Sequence, residues 1–185
     1  MTSGSAEIRL PEWLERRSLP PAPASDEACM ALAIELAREN VARGGGGPFG
    51  AVIRSEADSR IVSLGVNLVP ATGNPVLHAE VVAISLAGEA LAAPGGVTLF
   101  SSCEPCIMCL GASHWAGVRR IVCAALREDA EAIGFNEGAG CAELRAEMGG
   151  RGIVYESGLM RREAADVMDA YARTGGGIYG PKNEA

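Results

Sequence analysis

The chain lacks any apolar run approaching the roughly 20 residues that cross a bilayer, so no membrane-spanning helix is expected. Its opening, Met1 to Ile8, has no basic stretch leading into an apolar one, so no secretory leader is expected and the cytoplasm is the default location. Concentrated positive charge is missing as well. The formal net charge is −7, and the densest basic pairs, Arg16-Arg17, Arg119-Arg120 and Arg161-Arg162, stand apart from one another. Proteins that follow a phosphate backbone present a basic face, because counterion release supplies much of their affinity. A small substrate is therefore expected rather than a nucleic acid. There is no internal repeat, and the glycine run Gly44 to Gly47 has no lysine to complete a phosphate-binding loop. It is read as a turn into a strand.

What is present suits a single compact domain. Of the 185 residues 48% are hydrophobic and 21% charged, enough to bury a real core. Residues 1–24, with Pro11, Pro20, Pro21 and Pro23, read as an irregular arm, and residues 25–185 as one domain. Ser25 can cap a helix carrying Met30, Ile34, Leu36 and Val41, which the glycine run ends. Strands are expected at Gly50–Ile53, Ile61–Val66, Val97–Phe100, Val118–Ala124 and Gly152–Tyr155, the first two as a hairpin. A loop is expected over Pro70–Pro75. Further helices are expected over Val76–Ala92, from Pro105 to about Ala116, and over Leu144–Met148 and Arg162–Arg173. Glu104 beside Pro105 suits the positive end of that third helix. Alternating helices and strands imply an α/β domain, its sheet sandwiched between helices. The glycine-rich stretch Gly175–Gly177 is expected to be loose unless a partner surface holds it.

Of the six cysteines, Cys103, Cys106 and Cys109 are clustered, and in a reducing compartment clustering points to metal or redox chemistry rather than to disulfides. Cys29, Cys123 and Cys141 sit in apolar surroundings and read as packing residues. Cys106 and Cys109 are three apart at a helix start, which puts both sulfurs on one face where the helix dipole favours thiolate. His78, at another helix start, can supply a third, neutral ligand for Zn²⁺. Three protein ligands leave the fourth tetrahedral position open, as catalytic zinc sites require. Two thiolates cancel the formal charge of the ion and weaken its pull on bound water, so a nearby carboxylate must move the protons. Glu80 would take a proton from that water, protonate a ring nitrogen of the substrate and later help ammonia leave.

Each element alone has a simpler reading. A C-x-x-C pair can be redox-active, but this one lacks a Cys-Gly-Pro-Cys interior. The spacing Cys103-Cys106-Cys109 opens like an iron–sulfur run, yet no cysteine followed by proline completes it and position 113 is Ser113. His114 has no neighbouring motif and reads as an ordinary surface or packing residue. Together, His78-x-Glu80 and Pro105-Cys106-x-x-Cys109 are the signature of zinc-dependent nucleobase deaminases.

On these residues the sequence resembles the cytidine deaminase superfamily, and within it the bacterial guanine deaminase branch. The segments that carry the resemblance are 46–51, 78–80, 102–109, 131–138 and 177–179, within roughly residues 28 to 180. It implies a three-layer α/β/α sandwich on a mixed five-stranded sheet, one zinc per chain, a homodimer, and hydrolysis of guanine to xanthine and ammonia. By position it implies that Phe49, Asn67, Ala79, Phe135 and Asn136 contact substrate and that Glu137 is a second acidic group near the leaving amine. Tyr179 would close a site, its own or a partner's if the C-terminal segments are exchanged, and Cys103 would not be a ligand. Asn136 stands where that branch usually carries aspartate, and an amide donates where a carboxylate only accepts. Other readings of the same motif are a tRNA adenosine deaminase, which the acidic balance disfavours, and a deaminase of a pterin, triazine or modified purine. A zinc-stabilised binding module is the non-enzymatic alternative, and it leaves Glu80 without a purpose.

Overall fold

The computed structural model describes residues 7–136 and 141–180. The central sheet has five strands: β1 (Gly50–Ser55), β2 (Ile61–Val66), β3 (Val97–Cys103), β4 (Arg120–Ala125) and β5 (Val154–Ser157). Their order is β2-β1-β3-β4-β5, with β1 antiparallel to β2 and β3, and β3, β4 and β5 mutually parallel. Each strand sends alternate side chains to opposite faces. Val52, Phe100 and Val122 face one apolar layer together with Met30, Leu36 and Met168, whereas Ala51, Ile53, Leu99 and Ile121 face another with Ala83 and Leu110. The first layer lies under α2 (Asp26–Ala42) and α8 (Arg161–Arg173). The second lies under α4 (Ala79–Ala87), α5 (Ile107–Trp115) and α7 (Ala142–Gly150). The expected mixed-sheet sandwich is thus the fold.

Several boundaries differ from the sequence expectation for identifiable reasons. The helix expected from Val76 begins at Ala79, because Asn74 accepts from the Val76 N–H and the following backbone turns hold residues 74–78 out of helical geometry. It ends at Gly88, where a tighter 3₁₀ turn over Gly88–Ala92 takes over. Strand β3 continues past Phe100 to Cys103, since both serines in its extension find partners: Ser101 donates to Glu80, and Ser102 accepts from Gly50 N–H. The stretch expected as a loop holds one helical turn, α3 (Val69–Thr72), and a helix not anticipated, α6 (Arg127–Ala132), follows β4. Within the arm before Ser25, α1 (Glu12–Glu15) forms, with Leu14 buried and Trp13 packed against the core beside Arg43.

Ser25 caps α2 as expected, accepting from Ala28 N–H. The next residue, Asp26, binds Arg54 of β1 at 2.7 Å and Arg120 of β4 at 2.6 Å, so it fastens α2 to two strands at once. The Arg120 hydrogen bond, opposed by burial and reinforced by Arg54, holds the Asp26 carboxyl below its ordinary range. A depressed folded pKa stabilises fully above the unfolded value and is lost as pH falls through the folded one. Accordingly Asp26→Asn should lower Tm at neutral pH and flatten the dependence of Tm on pH below about pH 4. Calorimetry across that range tests this, and an unchanged acid limb would refute it.

Candidate active site

Three donor atoms converge where two helix N-termini meet. His78 is the N-cap of α4, Cys106 the N-cap of α5, and Cys109 lies in the first turn of α5. His78 Nδ1 is 3.6 Å from the sulfur of Cys106 and 3.6 Å from that of Cys109, and the sulfurs are 3.7 Å apart. A tetrahedral ion with Zn–S of about 2.3 Å and Zn–N of about 2.1 Å needs edges of about 3.8 Å between sulfurs and about 3.6 Å from nitrogen to sulfur. The triangle is therefore the size of one face of a zinc tetrahedron, and these three residues could hold the ion. Among the described residues they are the one such metal-ligating group. Cys103 stands outside it, its sulfur 3.8 Å from the Leu126 carbonyl, and His114 stacks edge-on to Trp115.

The electrostatics suit a cation. The Cys106 thiol is pulled down to about 4, first by its hydrogen bond with Cys109 and then, against burial, by His78. Cys109 is pushed up by that same hydrogen bond and by burial, so its proton leaves only when a cation replaces it. The cysteines outside the cluster behave otherwise: Cys29 and Cys123 are fully buried with thiols raised by burial, as packing residues should be. Cys141 is buried in the same way.

Glu80, in the first turn of α4, is 6% exposed, and burial pushes its carboxyl above the ordinary range. It opens, with His78 and Cys106, onto a cavity of about 510 Å³. That volume lies within the range of small-molecule sites. Phe49, Asn67, Phe135, Asn136 and Tyr179 all line it, as expected from the sequence. Ala79 does not: it is fully buried in the layer between α4 and the sheet, where its carbonyl would lie 2.1 Å from any Cβ on Gly65. Glu137 lies outside the described residues. Val69, Val76, Ile107 and Met108 add apolar wall that no motif announced.

Phe135 is the hub of the aromatic wall, meeting Phe49 and Tyr179 edge-on at 5.1 Å each. Tyr179 lines this cavity. The tail leading to it is not loose, because Gly176 lies so close on the Tyr171 ring that a Cβ would come within 2.4 Å, and the Tyr171 hydroxyl donates to Gly177 O at 2.6 Å. The Tyr179 hydroxyl in turn occupies the space a Cβ on Gly47 would fill, at 1.7 Å, and a Cβ on Gly46 would come within 2.1 Å of Asn67 O. The glycine run is thus a turn into β1, as expected, and also a surface shaped by what must press against it.

Asn67 is 1% exposed. Its Oδ1 accepts from Val69 N–H at 3.1 Å, which leaves its amide nitrogen as the group able to donate into the cavity. Sequence reasoning missed the residue that holds it. Asn40, fully buried in the last turn of α2, donates to Asn67 O at 2.9 Å and to Gly47 O at 3.1 Å. A polar residue on an otherwise apolar helix face was the available signal. Glu104 was also misplaced: it accepts from Arg127 N–H at 2.9 Å, so it serves the start of α6 rather than α5. Its other oxygen takes Arg145 of α7 and the Tyr155 hydroxyl.

Residues 23–125 match the cytidine and deoxycytidylate deaminase zinc-binding region. The chain belongs to this family. Among relatives, guanine deaminase from Bacillus subtilis is 43% identical over 60% of this chain and 71% of its own. A tRNA-specific adenosine deaminase from Streptococcus pyogenes is 30% identical over 69% and 78%. The solved guanine deaminase from Nitrosomonas europaea superposes with a TM-score of 0.85 at 35% identity, covering 94% of this chain and 99% of that one. Another structural neighbour, solved in complex with 2,6-diaminopurine, has a TM-score of 0.84 at 37% identity over 94% and 96%. The family is one of zinc-dependent deaminases, so the chain is an enzyme of that class, and His78, Cys106 and Cys109 are the residues that would hold its zinc. No helix among the described residues is long and apolar enough to cross a membrane.

Proposed function

We propose that this protein hydrolyses guanine to xanthine and ammonia, with His78, Cys106 and Cys109 as the zinc ligands and Glu80 as the proton carrier. The observation that carries this reading is the placement of the buried Glu80 carboxyl beside His78 and Cys106 of the donor triangle in the lining of one aromatic-walled cavity. The solved relatives named above, a guanine deaminase and a diaminopurine complex, support the choice of ring. Zinc, when bound, supplies a Lewis acid that acidifies the attacking water at the open fourth position. Glu80 would take one proton from the water and pass it to the ring nitrogen beside the amine-bearing carbon while the water oxygen bonds to that carbon, which becomes tetrahedral. It would then move the remaining proton of that oxygen to the amine, so that the C–N bond breaks as the C=O forms and water and guanine give xanthine and ammonia in balance.

Around that step, Asn67 donates its amide hydrogen to the ring and is held by Asn40, while Phe49 and Phe135 grip the ring edges and faces. Asn136 and Tyr179 complete the far side, and by the family resemblance Glu137 would be a second acidic group for the leaving amine. Asn136 favours a second reading, in which the ring differs from guanine, because an amide there can donate to an acceptor that aspartate would repel. Ultraviolet spectra of guanine, adenine, cytosine, their nucleosides and aminated pterins incubated with the protein decide between the two. Conversion of guanine to xanthine is expected; an unchanged guanine spectrum with a change in another ring would replace the substrate and keep the chemistry.

We further propose a homodimer. On α5, Trp115 is 88% and Ile107 50% exposed, about two turns apart on one face, and Ile107 also lines the cavity. A second copy seated there would cover both and finish the cavity wall. Light scattering should give a dimer mass for the parent and a monomer for Trp115→Glu; a monomeric parent at micromolar concentration would remove the proposal.

A further inference from the structure

Strand β3 is buried along its whole length, and Val97 and Leu99 belong to the apolar layer shared with α4 and α5. Ser101 continues that row, since it lies two residues beyond Leu99. An apolar side chain would suit the layer. The serine instead puts a hydroxyl 3.2 Å from Glu80 Oε1, with Ser101 only 2% exposed. Its neighbour Ser102 points to the opposite face and accepts from Gly50 N–H at 3.0 Å. Two adjacent serines, equally buried, therefore do different work, and only one of them touches the carboxyl.

We propose that Ser101 is a positioning residue for proton transfer, its hydroxyl anchoring Glu80 Oε1 so that the other oxygen exchanges the proton. This rests on the reading of Glu80 as proton carrier. A glutamate has three rotatable side-chain bonds, and the burial of Glu80 beside His78, Cys106 and Cys109 leaves the last of them to be fixed by hydrogen bonds to its carboxyl. A hydrogen bond to a carboxyl oxygen is directional and is among the stronger kinds. The hydroxyl sits on the central strand of the sheet, between β1 and β4, which is a rigid mount. The carboxyl is thus held from the strand side while α4 carries it from the helix side, and its other oxygen keeps one position through both proton transfers.

The test compares zinc-loaded Ser101→Ala, Ser101→Val, Ser101→Thr and Ser102→Ala. Threonine and valine have nearly the same shape, so their difference reports the hydroxyl alone. Ser101→Ala and Ser101→Val should lower kcat about tenfold or more with KM within twofold and zinc content unchanged, and Ser101→Thr should restore kcat. Ser102→Ala should lower Tm and leave kcat within twofold. A second readout needs no turnover: the infrared difference between the parent and Glu80→Gln isolates the Glu80 carboxyl band. That band should shift in Ser101→Ala and Ser101→Val, and stay in Ser101→Thr and Ser102→Ala. Equal kcat or equal band position in the valine and threonine variants would overturn the proposal, as would a loss in Ser102→Ala matching that in Ser101→Ala. If the parent leaves guanine untouched, the substrate reading fails while the infrared comparison still decides for or against Ser101.

Discussion

Glu80→Ala should keep its zinc and its fold while losing turnover by a factor on the order of 10²–10⁴, the usual contribution of a positioned acid–base group. The fold is expected to survive because burial opposes the ionised carboxyl, so the folded protein gains little from it. The loss should fall on kcat rather than KM, because the cavity walls that hold the ring are other residues: Phe49, Asn67 and Phe135. Glu80→Gln sharpens the test, since it keeps the volume and the hydrogen bond to Ser101 but cannot carry a proton as a carboxylate does. Following xanthine formation and metal content in both variants gives the answer. Turnover near that of the parent in either would mean that another base does the work, and loss of zinc in Glu80→Gln would mean that Glu80 supports the metal rather than the reaction.

The second large effect is expected from the metal ligands. Cys109→Ala should abolish stoichiometric zinc binding and with it all measurable turnover, and should lower Tm, because the free energy of binding zinc adds to folding when the unfolded chain has no such site. Cys109 is fully exposed to neither solvent nor cavity; it is 0% accessible in the first turn of α5, so its loss leaves a gap that water and the remaining thiol cannot fill. Cys103→Ala, only a strand end away, should keep one zinc per chain and most of its activity. Metal analysis by mass spectrometry on the two variants distinguishes a three-ligand open site from a closed site of three cysteines and one histidine. Equal loss of zinc in both would put Cys103 among the ligands and close the position the chemistry needs.

How far each feature could be read from the chain depends on the range of the interactions that make it. The donor set was legible because Cys106 and Cys109, three apart at a helix start, share one face by helix geometry, and His78 and Glu80 stand together at the start of another helix. The five strands and most helices were legible through periodicity and turn residues. Boundaries were not, wherever a distant partner set them. Strand β3 runs on through two serines because Glu80 and Gly50, both remote in sequence, satisfy their hydroxyls. Helix α6 escaped notice because its start is secured by Glu104 from another element. Asn40 looked like an ordinary polar residue near the end of a helix, and its two bonds to Gly47 and Asn67 exist only after the loops fold over it.

By itself the sequence determined the chemistry: a histidine and two thiolates for zinc, a carboxylate two residues from the histidine, and an α/β frame to carry them. These follow from side-chain type and short spacing, which survive in any fold that forms those helices. The tertiary structure alone decided the distances that match a zinc tetrahedron, and the burial that raises Glu80. It also decided the aromatic hub at Phe135, the tail that brings Tyr179 over Gly47, and the removal of Ala79 from the cavity wall. The reason is that a cavity is a property of surfaces contributed by β1, α3, α4, α5 and the last residues of the chain, and no local pattern records how those surfaces meet.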